Sequence, residues 1–318
     1  MFLVGFVAQI AHALLMLAAG PVLVGFVRRI KARLLGRSGP SVLQPWRDLL
    51  RLMRKQRVLA ENASPLFRAA PVLSFAAIAS AASLVPSFTL GMMFAPISDL
   101  IVIAGLLTLS RCIIALAGMD VGTAFGGIGA SREMAFATFA EPALLLVIFT
   151  LALLAGTTNL DSIAALFREG AFGLRVSLGL ALIATIAVAI AENARIPVDN
   201  PATHLELTMV HEAMVLEYSG SDLALIEWGT ALKLLLWASL IATVFLPFGI
   251  APAVSGFAEW AVGLMAWAVK IVVLGAALGL LETVIAKMRV FRVPEFLGIA
   301  VLLGLLAAIF LFVSQGFA

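Results

Sequence analysis

Apolar residues recur along this chain in long, nearly unbroken runs, not in the one-sided stripes of a soluble amphipathic helix. Eight such runs can be delimited: 2–27, 68–88, 98–118, 136–156, 174–192, 229–249, 259–286 and 295–314. Each is close to the ~20 residues needed to cross the ~30 Å hydrocarbon core of a bilayer as a helix. Glycine and proline inside the runs do not count against them, because spanning helices tolerate both. The pattern predicts an all-α, polytopic membrane bundle of about eight spans, with residues 1–318 forming a single integral membrane domain. No stretch is polar enough to fold as a separate soluble domain.

Composition agrees with the pattern. Of the 318 residues 63% are hydrophobic and 12% charged, against roughly 45–50% and 25% in soluble domains. The placement of charge gives orientation. No basic residue precedes the first run, and Arg28, Arg29, Lys31 and Arg33 follow it, so it reads as a span and not as a cleaved signal. Segments 28–68, 119–135, 193–228 and 287–294 together carry 16 Lys and Arg, while the opposite loops carry only Arg168 and Arg175. The excess of cations marks the cytoplasmic side, so both termini are expected outside, in a multi-pass protein of the cell inner (plasma) membrane. Arg111, Lys233 and Lys270 fall within runs.

The same counts limit the chemistry. With one cysteine, Cys112, the chain alone can build neither a disulfide nor a four-cysteine zinc or iron–sulfur site. Of the three histidines, only His12 lies in a run, which argues against a haem held between two membrane histidines. No redox centre is expected in this chain, and any electron transfer belongs to partner subunits.

Three segments on the cytoplasmic side could carry function. From Trp46 the spacing predicts a helix with Trp46, Leu49, Leu50 and Met53 on one face and Arg47, Arg51, Arg54 and Lys55 on another. Such a helix lies in the membrane interface. Its cations suit anionic headgroups or a docked acidic partner, and the helix could also form one wall of a cleft.

The second segment places Gly126, Gly127 and Gly129 ahead of Ser131-Arg132-Glu133. It lacks the lysine and the preceding strand of a phosphate loop, so the glycines read as a flexible or tightly packed loop. Glu133 suits a helix start. Glu141 lies eight residues on, near the same helical face and more than a turn inside a span, where a charge costs about 3 kcal/mol and faces protein.

The third segment, 191–228, brings Glu192, Asp199, Glu206, Glu212 and Glu217 together with His204 and His211. Asn200-Pro201 predicts a helix start, and Tyr218-Ser219-Gly220 an end near Glu217. The histidine and carboxylate spacings do not match a metal site such as HExxH. Carboxylates and histidines leading toward a membrane look like a proton relay, with Arg195 as counter-charge. Crowding and desolvation are expected to bring several of these carboxyl groups closer to neutrality.

The stretch ENARIPVDNPATHLELTMVHEAMVLEYSG, from Glu192 to Gly220 of this third segment, resembles the hallmark segment of the hydrogenase-4 component C and formate hydrogenlyase subunit 4 family. These are membrane proteins related to subunit 1 of respiratory complex I. The segments GRSGPSVLQPWRDLLRLMRK, from Gly36, and SRE…EP, Ser131 to Pro142, resemble that family too. Glu192, Arg195, Pro197, Asp199, Glu206 and Glu217-Tyr218 match the skeleton shared with complex I. Complex I subunits carry acidic residues where this chain has Ala202 and His204, which favours the hydrogenase branch over a quinone-binding one.

The resemblance implies a membrane anchor and coupling subunit of a group 4 nickel–iron hydrogenase complex of the formate hydrogenlyase kind. Expected partners are hydrogenase large and small subunits, iron–sulfur subunits and antiporter-like membrane subunits. The nickel–iron centre and clusters would be theirs, and electron transfer would be linked to proton or ion movement. Arg47, Arg51, Arg54 and Arg132 are the expected docking residues. Glu141, Glu192, Asp199, Glu206, Glu212, Glu217, His204 and His211 are the expected proton path. Alternatives are a quinone-site subunit of complex I and a stand-alone secondary ion transporter. The transporter would favour broken helices at mid-membrane, whereas the acidic cluster lies at the cytoplasmic edge.

Overall fold

The computed structural model describes residues 2–170, 175–198, 210–253, 255–286 and 288–316. Its long elements are all helices: α1 (Phe2–Leu34), α3 (Pro65–Leu84), α4 (Leu100–Asp120), α5 (Ala124–Ala155), α7 (Val176–Glu192), α9 (Gly220–Phe245), α10 (Phe257–Val284) and α11 (Val293–Gly316). They coincide, in order, with the eight apolar runs of the sequence. Seven are long and apolar enough to cross a membrane by themselves. The eighth, α7, has 17 residues, about 26 Å at 1.5 Å per residue. The molecule is a polytopic membrane helix bundle.

Three short helices lie at the ends of the bundle: α2 (Gln44–Met53), α6 (Leu160–Arg168) and α8 (His211–Val215). At one end the connections are tied to one another. Met93 N donates to Gly5 O at 3.3 Å, Leu90 N to Ala251 O at 3.0 Å, and Gly91 N to the Asp161 carboxylate at 3.0 Å. Burial raises the Asp161 pKa, and the Gly91 amide opposes that shift. At the other end Val58 N donates to Ser219 Oγ, Ser64 N to Asp120, and Met288 N to Pro197 O. This second end is the basic one. The chain begins at the first end, and α11 runs back toward it from the second.

The core is centred on α9, whose Leu232, Leu235, Leu236 and Trp237 are fully buried. α10 lies at the periphery, with Val262, Met265, Val269, Val272 and Val273 exposed on its outer side. In water such a face would be a liability, and in lipid it is solvated.

Two expected boundaries move. The glycine-rich stretch is not a loop. Thr123 caps α5 by accepting from Gly126 N at 3.2 Å, and the helix then runs through all three glycines. The glycines serve close packing: a Cβ at Gly126 would strike the Gly118 carbonyl, and one at Gly129 would lie 2.8 Å from the Val210 carbonyl. Likewise α9 begins at Gly220, not near 229; Ser219 precedes it with its hydroxyl bonded to the Val58 backbone and not to the helix. The helix expected from Pro201 to Glu217 is described only as α8, since 199–209 lie outside the described residues.

The apolar face expected on α2 divides. Leu49 is buried and Trp46 packs edge-on against Trp228 with ring centroids 5.4 Å apart, while Leu50 and Met53 remain exposed. The helix thus packs on the bundle through one edge and meets the membrane interface with another.

Candidate functional site

Charged side chains inside an apolar bundle need partners, because an isolated ion in a medium of low dielectric loses its hydration. In this molecule they gather around Arg111 of α4. Its guanidinium reaches Glu133 of α5 at 3.6 Å, Glu141 of α5 at 3.2 Å, and Glu192 of α7. Thr108, one turn before Arg111, also donates to Glu141 at 3.2 Å. On its other side Glu192 meets Lys233 of α9 at 2.9 Å. Four helices therefore contribute to one chain of ion pairs running from Glu141 through Arg111 and Glu192 to Lys233.

The side chains of Arg111 and Glu192 are 5% and 3% exposed, whereas that of Glu141 is 37% exposed. The chain of pairs is deeply buried at Glu192, where it lines a cavity, and half-exposed at Glu141 on the flank of α4 and α5. Among the described ion pairs of this chain, three carboxylates face two cations. Such a surplus favours holding a proton or a cation over excluding both.

A second cluster lies at the basic end. Glu282 of α10, buried, meets Lys31 of α1 at 2.6 Å and Arg195, after α7, at 3.5 Å. Burial lowers the Arg195 pKa below its usual value, Glu282 opposes this, and Arg28 adds to it. The two clusters share a cavity of about 610 Å³. Its apolar wall includes Val24, Leu49, Ile78 and Ile114, and its polar wall adds Asp48, His211, Glu212 and Glu227 to the two clusters. Asp48 and Leu49 make α2 one wall of this cleft, as its spacing allowed.

Of the expected path residues, Glu192, Glu212 and His211 line the cavity, and Glu141 joins through Arg111. His211 Nε2 stands 3.4 Å from Thr230 Oγ1. Glu217 is exposed on the turn after α8 and does not line the cavity. Asp199, His204 and Glu206 lie outside the described residues. Arg195 faces Glu282, and the cations facing Glu192 are Arg111 and Lys233. Arg47, Arg51 and Arg54 border a shallow groove on the outer side of α2 with Leu50 and Lys55. Arg132 is half-buried near the start of α5.

Arg111, Lys233, Glu133 and Glu282 had no role in the sequence reading of the path. The signal for three of them, Arg111, Lys233 and Glu282, was present, since an ionisable residue within a span marks a functional site by default. Among the described residues no group of three His, Cys, Asp or Glu side chains converges as a metal site would require.

The sequence pattern of the NADH dehydrogenase family matches residues 7–314. The chain is 33% identical over 301 residues to hydrogenase-4 component C of Escherichia coli K12, covering 95% of this chain and 94% of that protein. The chain belongs to this family, that of complex I subunit 1. Formate hydrogenlyase subunit 4 of the same organism is 34% identical over 238 residues, covering 75% of this chain and 76% of that one. NADH-quinone oxidoreductase subunit 8 of Rhodothermus marinus is 27% identical over 241 residues, covering 72% and 70%.

In fold, the chain superimposes on a chain of the membrane-bound sulfane sulfur reductase, an archaeal respiratory membrane complex. The TM-score is 0.74 at 21% identity, covering 96% of this chain and 99% of that one. As in its relatives, the setting is an oxidoreductase complex in a membrane with several subunits.

Proposed function

We propose that this protein is the membrane anchor and coupling subunit of a group 4 nickel–iron hydrogenase complex of the formate hydrogenlyase kind, in the cell inner (plasma) membrane. The observation that carries the reading is the buried chain of ion pairs Glu141–Arg111–Glu192–Lys233 beside a cavity at the basic end. Buried ion pairs contribute little net stability, so a network spanning four helices at membrane depth is better explained by ion transfer than by folding. Protonation of one carboxylate frees its cation to pair with the next, which favours release of a proton held there, so one proton enters the chain as another leaves it without exposing a lone charge.

Glu192 is the central carrier. Glu212 and His211 exchange protons at the cavity, and Asp199, His204, Glu206 and Glu217 are the remaining carriers of the path. The half-exposed Glu141 cannot face lipid at its depth without a large cost. That flank is therefore covered by a neighbouring membrane subunit of the antiporter-like kind.

The soluble arm, with hydrogenase large and small subunits and iron–sulfur subunits, docks on the basic end. Arg47, Arg51, Arg54 and Arg132 supply the attraction. Reversing charge at Arg47 and Arg51 together is expected to release the arm from membranes while this protein stays inserted. An arm that stays bound with full activity excludes α2 from docking. No redox centre resides in this chain, so elemental analysis of the purified chain is expected to find neither iron nor nickel in stoichiometric amount.

The cavity gives a second reading, a quinone site as in complex I, some support: part of its wall is apolar and about 610 Å³ is within the range of small-ligand pockets. Purification through a tag on this chain separates the readings. Recovery with a hydrogenase large subunit supports the first. Recovery with an NADH-oxidising module supports the second, and a chain that transports ions alone contradicts both.

A further inference from the structure

Of the three internal prolines in the described spanning helices, Pro142 lies in α5, and Pro21 in α1 and Pro71 in α3 each leave a defect that is repaired in the same way. Proline has no amide hydrogen, so the carbonyl four residues earlier loses its helical donor. The carbonyls released are those of Leu17 and Phe67. In a bilayer no water replaces the missing donor, and another group must supply it.

Both carbonyls find donors, and both donors come from one stretch of chain. The Trp228 indole donates to Leu17 O at 3.0 Å, and the Tyr218 hydroxyl donates to Phe67 O at 3.0 Å. The rings are also held by packing. Trp228 lies edge-on to Trp46, whose own indole donates to Ala18 O at 3.0 Å. Tyr218 stacks on Phe67 with centroids 4.1 Å apart and planes within 2°. Burial, then Asp222 and Asp120, raise the Tyr218 pKa, so the hydroxyl remains a donor.

The stretch so fastened carries much of the cavity's polar wall. His211 and Glu212 precede Tyr218, and Glu227, Thr230 and Lys233 surround or follow Trp228. Lys233 lies five residues beyond Trp228, about 7.5 Å along the helix axis. Close packing of Ala231 and Leu232 against Gly20 of α1 fixes part of the position of α9 along its axis. Hydrogen bonds to fixed carbonyls specify it through distance and angle.

We propose that Trp228 and Tyr218 are positioning residues: through the carbonyls that Pro21 and Pro71 release, they set the depth of segment 211–233 and so hold Lys233 against Glu192. The prolines and the aromatic donors form two matched pairs, and each proline makes the acceptor that its partner uses.

A double-mutant cycle on the purified full chain tests the pairing. Trp228→Phe alone is expected to lower the unfolding midpoint. With Pro21→Ala the amide of residue 21 again serves the Leu17 carbonyl, so the same substitution should lower the midpoint by about half as much or less. Pro71→Ala with Tyr218→Phe should behave alike, whereas the crossed pair Pro21→Ala with Tyr218→Phe should be additive. If the matched pairs are additive as well, the exchange of donors does not exist and the proposal falls.

Positioning is read separately, in the assembled complex in vesicles, and this arm rests on the coupling role proposed above. Trp228→Phe with Tyr218→Phe should shift the pH profile of ion movement while the redox arm keeps its activity with an artificial donor. Adding Pro21→Ala and Pro71→Ala restores the carbonyls but not the anchors, so the shift should persist. An unchanged profile in the assembled variant, despite coupled midpoints, would confine the two residues to holding the fold. A wild-type complex without ion movement would instead contradict the coupling role and leave the cycle intact.

Discussion

Arg111→Met is expected to be among the most destabilising single substitutions in this protein, costing roughly 3–5 kcal/mol, the range for removing one partner of a buried ion pair. Arg111 reaches carboxylates from α5 and α7, and among the described ion pairs Lys233 alone would remain beside Glu133, Glu141 and Glu192. Methionine fits the volume but offers no charge, so the loss is electrostatic and not a cavity. The measurement is the amount of variant accumulating in membranes and its unfolding midpoint after extraction. Arg111→Lys should recover part of the loss, because one ammonium replaces the charge but cannot span three carboxylates. Arg111→Met with Glu192→Gln should recover part too, since it removes one of the stranded charges. If Arg111→Met accumulates and unfolds as wild type does, the pairs around Arg111 contribute nothing.

Much of the architecture was legible because spanning a membrane leaves a coarse signature. Each run of about 20 apolar residues became a helix in the expected order, and the charge asymmetry divided the loops into the two ends that the hydrogen bonds tie together. The boundaries were less legible. The helices that follow Thr123 and Ser219 start well before the apolar run begins, and a polar first turn outside the membrane leaves no trace in hydropathy. The glycines at 126, 127 and 129 read as a loop because glycine lowers helix propensity. Close contact of Gly126 with Gly118 and of Gly129 with Val210, 81 residues away, overrides that preference.

The site was half legible. Glu192 stood out through its motif and its place at a span end. Glu133 and Glu141 were placed on one face by their spacing, and Arg111 does reach both. What no spacing reveals is which cation meets which carboxylate across helices. Arg195, three residues from Glu192, was the nearest candidate along the chain, yet the backbone turns after Glu192 and carries it to Glu282. Arg111 and Lys233, 81 and 41 positions away in sequence, take its place. Proximity along the chain misleads wherever a helix ends between two charges.

Glu192→Gln tests the account most directly. Glutamine preserves shape and most hydrogen bonding but carries no charge and cannot exchange a proton, so the chain of pairs is cut at its centre while the packing stays. Lys233 loses its carboxylate at 2.9 Å. Glu192→Gln with Lys233→Met therefore serves as a second variant without the stranded ammonium. In both the complex should assemble, and the redox arm should retain its activity with an artificial electron donor. Ion movement coupled to turnover in sealed vesicles is expected to fall roughly a hundredfold or more, the lower range for losing a positioned proton-transfer group. Wild-type ion movement in an assembled Glu192→Gln complex would contradict a path through Glu192, and an equal loss of artificial-donor activity would assign the residue to holding the arm in place.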